Sequence, residues 1–307
     1  MQEGSKKAIA PAFAANLGIA IAKFIGFLIT ASAGLLAESF HSLADTGNQG
    51  LLLLGSSRGK REPSTRHPFG YGRERYFWAF VVAMILFSLG GLFAIFEGIS
   101  KFRHPHETEY LGLAIAVLAL AVVLESYSLA TAVRETRKIA GRTRLFHFIR
   151  ESRQPELPVV LLEDIGAETG LVVALIGVVM TSITGNPRWD AVASIVIGVI
   201  LVVIAMFLAS ETKSLLIGES VSDTDAEKLV KAIEAQPDVI RIIHMRTQHL
   251  SPEQVLVAAK IEFRHSLSNP ELARAIDAVE AQIRLAVPTA EKIFIEPDIY
   301  RGEGSTE

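Results

Sequence analysis

Four side chains in this sequence are spaced to hold a divalent cation. His41 and Asp45 are four residues apart in the run Leu35 to Leu54, and Asp164 and Glu168 are four apart in the run Leu157 to Ile183. On a helix that spacing puts both members of a pair on one face, a few ångströms from each other. Two such helices side by side can close a four-coordinate cage of one imidazole and three carboxylates. The alternative is that these groups only pair with one another, or with Lys23, to hold a bundle together. Several acids in apolar surroundings with few cations near them argue against it, because a divalent cation relieves repulsion that self-pairing cannot. A metal or proton pathway is the expectation.

The elements that must position these groups are membrane helices. Leu35 to Leu54 is long enough, at roughly 1.5 Å per residue, to cross the ~30 Å core of a bilayer, yet it contains Glu38, His41, Asp45, Asn48 and Gln49. Positions 38, 41, 45 and 48 follow the three-and-four spacing of one helical stripe, so the polar groups share a seam and Leu, Phe and Ala cover the rest. An ionisable residue at that depth is by default a functional one. Glu163 points roughly 100° away from Asp164 and reads as a helix-boundary or supporting acid. Lys23, deep in the first apolar segment, is expected to snorkel or to pair with a nearby acid. Glu97 and Glu125 read as boundary residues.

Six hydrophobic segments are long enough to span: Ala8 to Ile29, Leu35 to Leu54, Tyr76 to Ile99, Tyr110 to Val133, Leu157 to Ile183 and Trp189 to Leu208. Half of the 307 residues are apolar, which places the chain among membrane proteins with a soluble part. Basic residues crowd the second connection, with Arg58, Lys60, Arg61, Arg66, Arg73 and Arg75, and the fourth, with Arg134, Arg137, Lys138, Arg142, Arg144, Arg150 and Arg153. The positive-inside bias then puts both termini in the cytoplasm, in a plasma or inner membrane. Tyr76, Phe77, Trp78, Tyr110 and Trp189 stand at segment starts, where an interfacial aromatic belt belongs. Glycines at 90, 91, 166, 170 and 177 imply close helix packing. With no cysteine, any metal site must use His, Asp, Glu and carbonyls, and nothing in the charge pattern points to nucleic acid.

After Leu208 no spanning run remains, so residues 1–210 form the membrane domain and 211–307 a separate soluble one. Thr224-Asp-Ala-Glu227 reads as a capping box opening a helix to about Gln236, and Asn269-Pro270 as the cap and first turn of another to about Leu285. Val239 to Thr247, Val255 to Phe263 and Lys292 to Ile299 read as strands, the first two joined by a turn at Leu250 to Gln254. The order is αββαβ, and so small a module commonly gains stability by dimerising.

Together, Glu38-Ser-Phe-His-Ser-Leu-Ala-Asp45, the loop Arg66-His-Pro-Phe-Gly-Tyr-Gly-Arg-Glu-Arg75, Leu161-Leu-Glu-Asp164, Asp190-Ala-Val-Ala-Ser194 and Ser214-Leu-Leu-Ile-Gly218 resemble the cation diffusion facilitator family over nearly the whole chain. The Glu-Asp pair of the fifth helix is similar to the branch related to zinc transporter nine. The resemblance implies a homodimeric transporter of divalent metal, exchanging it for protons, with six membrane helices and a metallochaperone-like cytoplasmic αββαβ domain. It also implies a tetrahedral site on His41, Asp45, Asp164 and Glu168. Many members have histidine where Asp164 stands, so this site is harder. His67 remains of a loop site, beside Ser64 and Tyr71, and the connection of helices four and five has only His147. In the soluble domain His244, His249 and Glu296 are the residues left to bind metal, with Lys260 where a ligand would stand.

The expected function is efflux of a divalent metal, zinc before Mn, Fe, Co or Cd, driven by protons and needing no cofactor. A membrane-anchored metal sensor is the rival. An intramembrane metalloprotease would need a His-Glu-x-x-His helix, which this sequence lacks, so no enzyme is expected.

Overall fold

The computed structural model describes residues 3–105, 110–140 and 155–301. Arg142, Arg144, His147, Arg150 and Arg153, part of the predicted basic connection, lie outside them. Two compact bodies emerge: Met1–Ser57 with Arg75–Lys213, and Arg58–Glu74 with Ser214–Glu307.

The first body is all helical. Its elements are α1 (Glu3–Thr30), α2 (Ala33–Gly59), α3 (Glu74–Ile85), a π-helical segment Leu86–Leu92, α4 (Phe93–Arg103), α5 (Leu111–Ala140), α6 (Glu156–Thr184) and the greater part of α7 (Arg188–Ile217). α3, the π segment and α4 are one continuous rod, Glu74–Arg103, which with Leu111–Arg134 and Arg188–Ile217 is long and apolar enough to cross a membrane. α2 and α6, at 27 and 29 residues, have the length too and carry the ionisable groups. In α1 the described apolar stretch is Leu17–Thr30.

Small residues set the packing. A side chain at Gly91 would run into Val202 at 2.6 Å, one at Gly98 into Ile195 at 2.7 Å, and one at Gly198 into Ile95 at 2.6 Å, so the Glu74–Arg103 rod and α7 meet backbone to backbone. Ser194 Oγ donates across the same seam to Ala94 O at 2.9 Å. Leu118, Leu171, Ile197 and Leu201 fill the middle of the bundle with no exposed surface to speak of. Phe77, Tyr110 and Trp189 are exposed, as a belt requires, but Tyr76 is fully buried in the bundle. It begins a helix held against α6, where Arg75 Nε and Nη2 grip Glu156 at 2.6 and 3.0 Å.

The second body is α8 (Asp223–Glu234), β1 (Val239–Ser251), β2 (Gln254–Phe263), α9 (Asn269–Ala286) and β3 (Ala290–Pro297), with the loop 58–74. The sheet order is β1-β2-β3, the first pair antiparallel and the second parallel. Val255, Val257, Ala259 and Ile261 alternate inward from β2 onto Leu229 and Ile233 of α8 and Val279 and Ile283 of α9. Both helix starts differ from expectation. α8 is capped by Ser222, whose hydroxyl accepts from Asp225 N at 3.2 Å, and not by Thr224; α9 is capped by Ser268, with Glu271 closing the box onto Ser268 N at 2.8 Å, and not by Asn269. Each alternative serine precedes an acid by three residues, and that motif fits two registers. β3 starts and ends two residues earlier than predicted: Ala290 already pairs with Val255, and the register ends at Ile261 opposite Pro297, where Asp298 N donates to Ile261 O at 3.0 Å.

Candidate functional site

The start of α2 is fixed from afar. Asp190 of α7, fully buried, accepts from Ala33 N at 2.8 Å, from Gly34 N at 3.3 Å and from Ser32 Oγ at 2.8 Å, so a carboxylate satisfies the free N–H groups of the first turn. Lys101 of α4 pairs with it at 2.8 Å and donates to Ala31 O at 2.7 Å. Ala31 can present that carbonyl because its φ is +52°, closing the tight turn from α1.

From that anchor the polar stripe runs inward. Glu38, His41, Ser42 and Asn48 are all buried, whereas Leu43 and Leu53 on other faces are exposed. Lys23 of α1 pairs with Glu38 at 3.3 Å and donates to Ser42 Oγ at 2.8 Å. The Glu38 carboxylate presses on Gly170 of α6, where only hydrogen leaves room for it. Thus Lys23 pairs with an acid, as expected, and Glu38 acts as a strut joining three helices.

His41 is fully buried and neither ring nitrogen has a hydrogen-bond partner; Nε2 stands 3.6 Å from Asp45 Oδ2, beyond hydrogen-bond range. One turn on, Asn48 Nδ2 donates to Glu163 Oε1 of α6 at 2.7 Å. Asp45, Glu163, Asp164 and Glu125 of α5 line an open cavity of about 400 Å³, together with Ser42, Gln49, Ser128 and Thr131. Glu168 is not among the lining residues; its Oε1 accepts from Ser126 Oγ of α5 at 2.7 Å and its Oε2 is buried without a hydrogen-bond partner. Of the predicted quartet, Asp45 and Asp164 therefore share the cavity, His41 lies behind Asp45, and Glu168 is a turn of α6 away. Among the described residues no three His, Asp or Glu side chains are gathered as a ready metal-holding group.

Of the alternatives for Glu163 the structure matches the supporting acid, whereas Glu125 takes a place that the sequence reading did not give it. Glu163 sits two turns inside α6, buried and tied to α2, so it is no boundary residue. Glu125, also read as a boundary residue, lies in the apolar span Leu111–Arg134 and faces the cavity. A lone acid in an apolar run has no partner at helical spacing to reveal its direction.

The remaining candidates lie in the second body. His67 is in the exposed loop, its ring 4.6 Å from that of Tyr71 while its N–H reaches Ser64 O at 3.0 Å. His244 on β1 is opposite Lys260 on β2, and Lys260 is opposite Glu296 on β3. The Lys260 ammonium stands 3.4 Å from both Glu296 and Asp298. The Ile299 N–H and then Lys260 hold the Asp298 carboxyl below the usual range. His249 is buried, its Nδ1 3.3 Å from Ser251 O.

The chain combines a helical bundle with buried charge on facing helices and a small αββαβ domain. The profile of the cation efflux transmembrane domain matches residues 9–217, and that of the cation efflux protein, cytoplasmic domain, matches 221–300. The chain belongs to the cation efflux, or cation diffusion facilitator, family and is an integral membrane protein with similarity to the SLC30A9 branch. It is 34% identical over 243 residues to the proton-coupled zinc antiporter SLC30A9, mitochondrial, of Mus musculus, covering 78% of this chain and 43% of that protein. Metal tolerance protein C4 of Arabidopsis thaliana is 30% identical over 261 residues, 84% of this chain and 57% of that one. The chain thus spans less than half the length of the SLC30A9 relative. A structure of the MamM C-terminal domain aligns with 26% of this chain at 16% identity and a TM-score of 0.25, too low to bear on function.

Proposed function

We propose that this protein carries a divalent transition-metal cation, zinc foremost, across a membrane in exchange for protons. The observation that carries the reading is His41, a fully buried imidazole with both nitrogens unpartnered, behind Asp45 at the wall of a carboxylate-lined cavity inside the bundle. A buried polar group without a partner is costly to keep, and a ligand that arrives and leaves gives it one. His41, Asp45, Asp164 and Glu168 are the proposed ligands, drawn together when the cation binds. The imidazole favours zinc over manganese. Exchange for protons follows from coordination chemistry, since a ligand must be free of its proton to bind metal and can take one up on release. The zinc-antiporter names of the SLC30A9 relatives support the same reading.

In this proposal the protein works as a homodimer through its small domain, with both termini cytoplasmic, performs no covalent chemistry and needs no cofactor. The test is flux in vesicles loaded with a metal-sensitive dye, over Zn, Mn, Fe, Co and Cd. An imposed pH gradient should accelerate metal entry, and metal entry should shift the pH of a weakly buffered lumen. Flux indifferent to both would end the exchange reading, and tight binding with no flux would favour a sensor.

A further inference from the structure

We propose that Glu125 of α5, Asp45 of α2 and Asp164 of α6, which line one cavity, close on an entering cation as an all-oxygen loading position where it stops before it reaches His41. The inference rests on the transport reading and adds a third helix to its site. Glu125 is the one Asp, Glu, Lys, Arg or His between Tyr110 and Arg134, so no opposite charge stands beside it in that stretch of its own helix. An acid in such a span is retained where it faces water or a functional partner. Here it faces the cavity of about 400 Å³ that Asp45 and Asp164 also line, and Ser128 and Thr131 continue the same oxygen-bearing wall.

An acidic wall alone would be only a solvated opening. The separate pointer to a ligand is His41, fully buried, unpartnered at both nitrogens, with Nε2 3.6 Å from the Asp45 carboxylate. Asp45 therefore has one side to the cavity and one to the imidazole. That arrangement gives two positions in series: carboxylates that accept a partly hydrated cation with little discrimination, then a nitrogen that favours the zinc type.

The experiment compares full-length wild type with Glu125→Gln, which keeps the shape and removes the charge. In dye-loaded vesicles the variant should show a KM for zinc raised about tenfold, a maximal rate that falls by less than that factor, and loss of competition by Mn²⁺, which prefers oxygen ligands. A variant with wild-type KM and wild-type Mn²⁺ competition overturns the proposal. So does one whose maximal rate collapses at unchanged KM. Zinc titration of the detergent-solubilised proteins reads the same position without flux. If wild-type vesicles carry no metal yet Glu125→Gln weakens zinc binding, transport fails and the loading position stands; equal binding by both proteins removes it whatever the flux. Should Glu125→Gln not elute as folded protein, Glu125→Asp replaces it, a raised KM supporting the proposal and an unchanged one refuting it.

Discussion

Lys23 meets both Glu38 and Ser42, Asn48 meets Glu163 and His41 has no hydrogen-bond partner, so substitutions along α2 should separate distinct roles. Asp45→Ala or Asp164→Ala removes a proposed ligand, and transport should fall to background while the protein still inserts and elutes as folded. His41→Asp makes the set all oxygen and should move selectivity from zinc towards manganese, read as the ratio of the two fluxes. Glu163 calls for a finer comparison, because Asn48 donates to it. Glu163→Ala leaves that buried amide without an acceptor and should cost about 1 to 3 kcal/mol in thermal stability, whereas Glu163→Gln keeps an acceptor and should spare the fold. If Glu163→Gln also keeps transport, the residue positions α2 and binds no metal. The face of α2 was legible because 38, 41, 45 and 48 recur at helical spacing. The direction of Glu125, and the turn of α6 that sets Glu168 apart from the cavity, were not, since both depend on how three helices are rotated against each other.

At the scale of elements, the anchor of α2 is the feature that sequence pattern hides. The segments are recognisable from apolar length, but the pairing of Asp190 with Lys101 and with the first turn of α2 joins positions up to 158 residues apart. Both side chains are fully buried, so removing one strands the other. Lys101→Met should destabilise the protein by about 3 to 5 kcal/mol, and Asp190→Asn with Lys101→Met should recover part of that loss. Melting temperatures of the two single variants and the double variant in detergent check this, and a double variant no better than the singles would deny the coupling. The junction after α7 is similarly specific. Gly218 has a φ of +123°, and a side chain there would meet Gln248, so Gly218→Ala should lower stability of the small domain.

For the whole molecule, the proposed homodimer assigns the small domain to assembly before sensing. Its αββαβ order could be read from alternation and helical spacing, while its caps slid by two residues, from Thr224 to Ser222, and by one, from Asn269 to Ser268. A chain cut after Leu215 should lose its dimer and much of its heat resistance, which light scattering and melting would show. In the intact chain, Lys260 neutralises Glu296 and Asp298, so cytoplasmic metal should not raise the melting temperature of this domain. Lys260→His withdraws the built-in cation and adds a donor beside His244, and a zinc-dependent rise in melting temperature should appear. The pH dependence has a definite sign. Asp298 titrates lower when folded than the ~3.9 of a free aspartate, so its contribution is present above that value and lost as pH falls through the lower folded value. Lys260→Met should weaken that acid dependence.

The π-helical turn Leu86–Leu92 has a geometric effect on the anchor of α2. A wide turn of this kind takes in an extra residue, and each residue of an α-helix advances the azimuth by about 100°. The Phe93–Arg103 half is therefore phase-shifted against Glu74–Ile85, and this offset aims Lys101 at Asp190. Deleting one residue from the wide turn would restore a regular helix and swing Lys101 off its carboxylate, with every residue of the proposed binding stripe unchanged in identity. The aim of a helix end some sixty residues from His41 in sequence thus works as a vernier on where the binding helix begins.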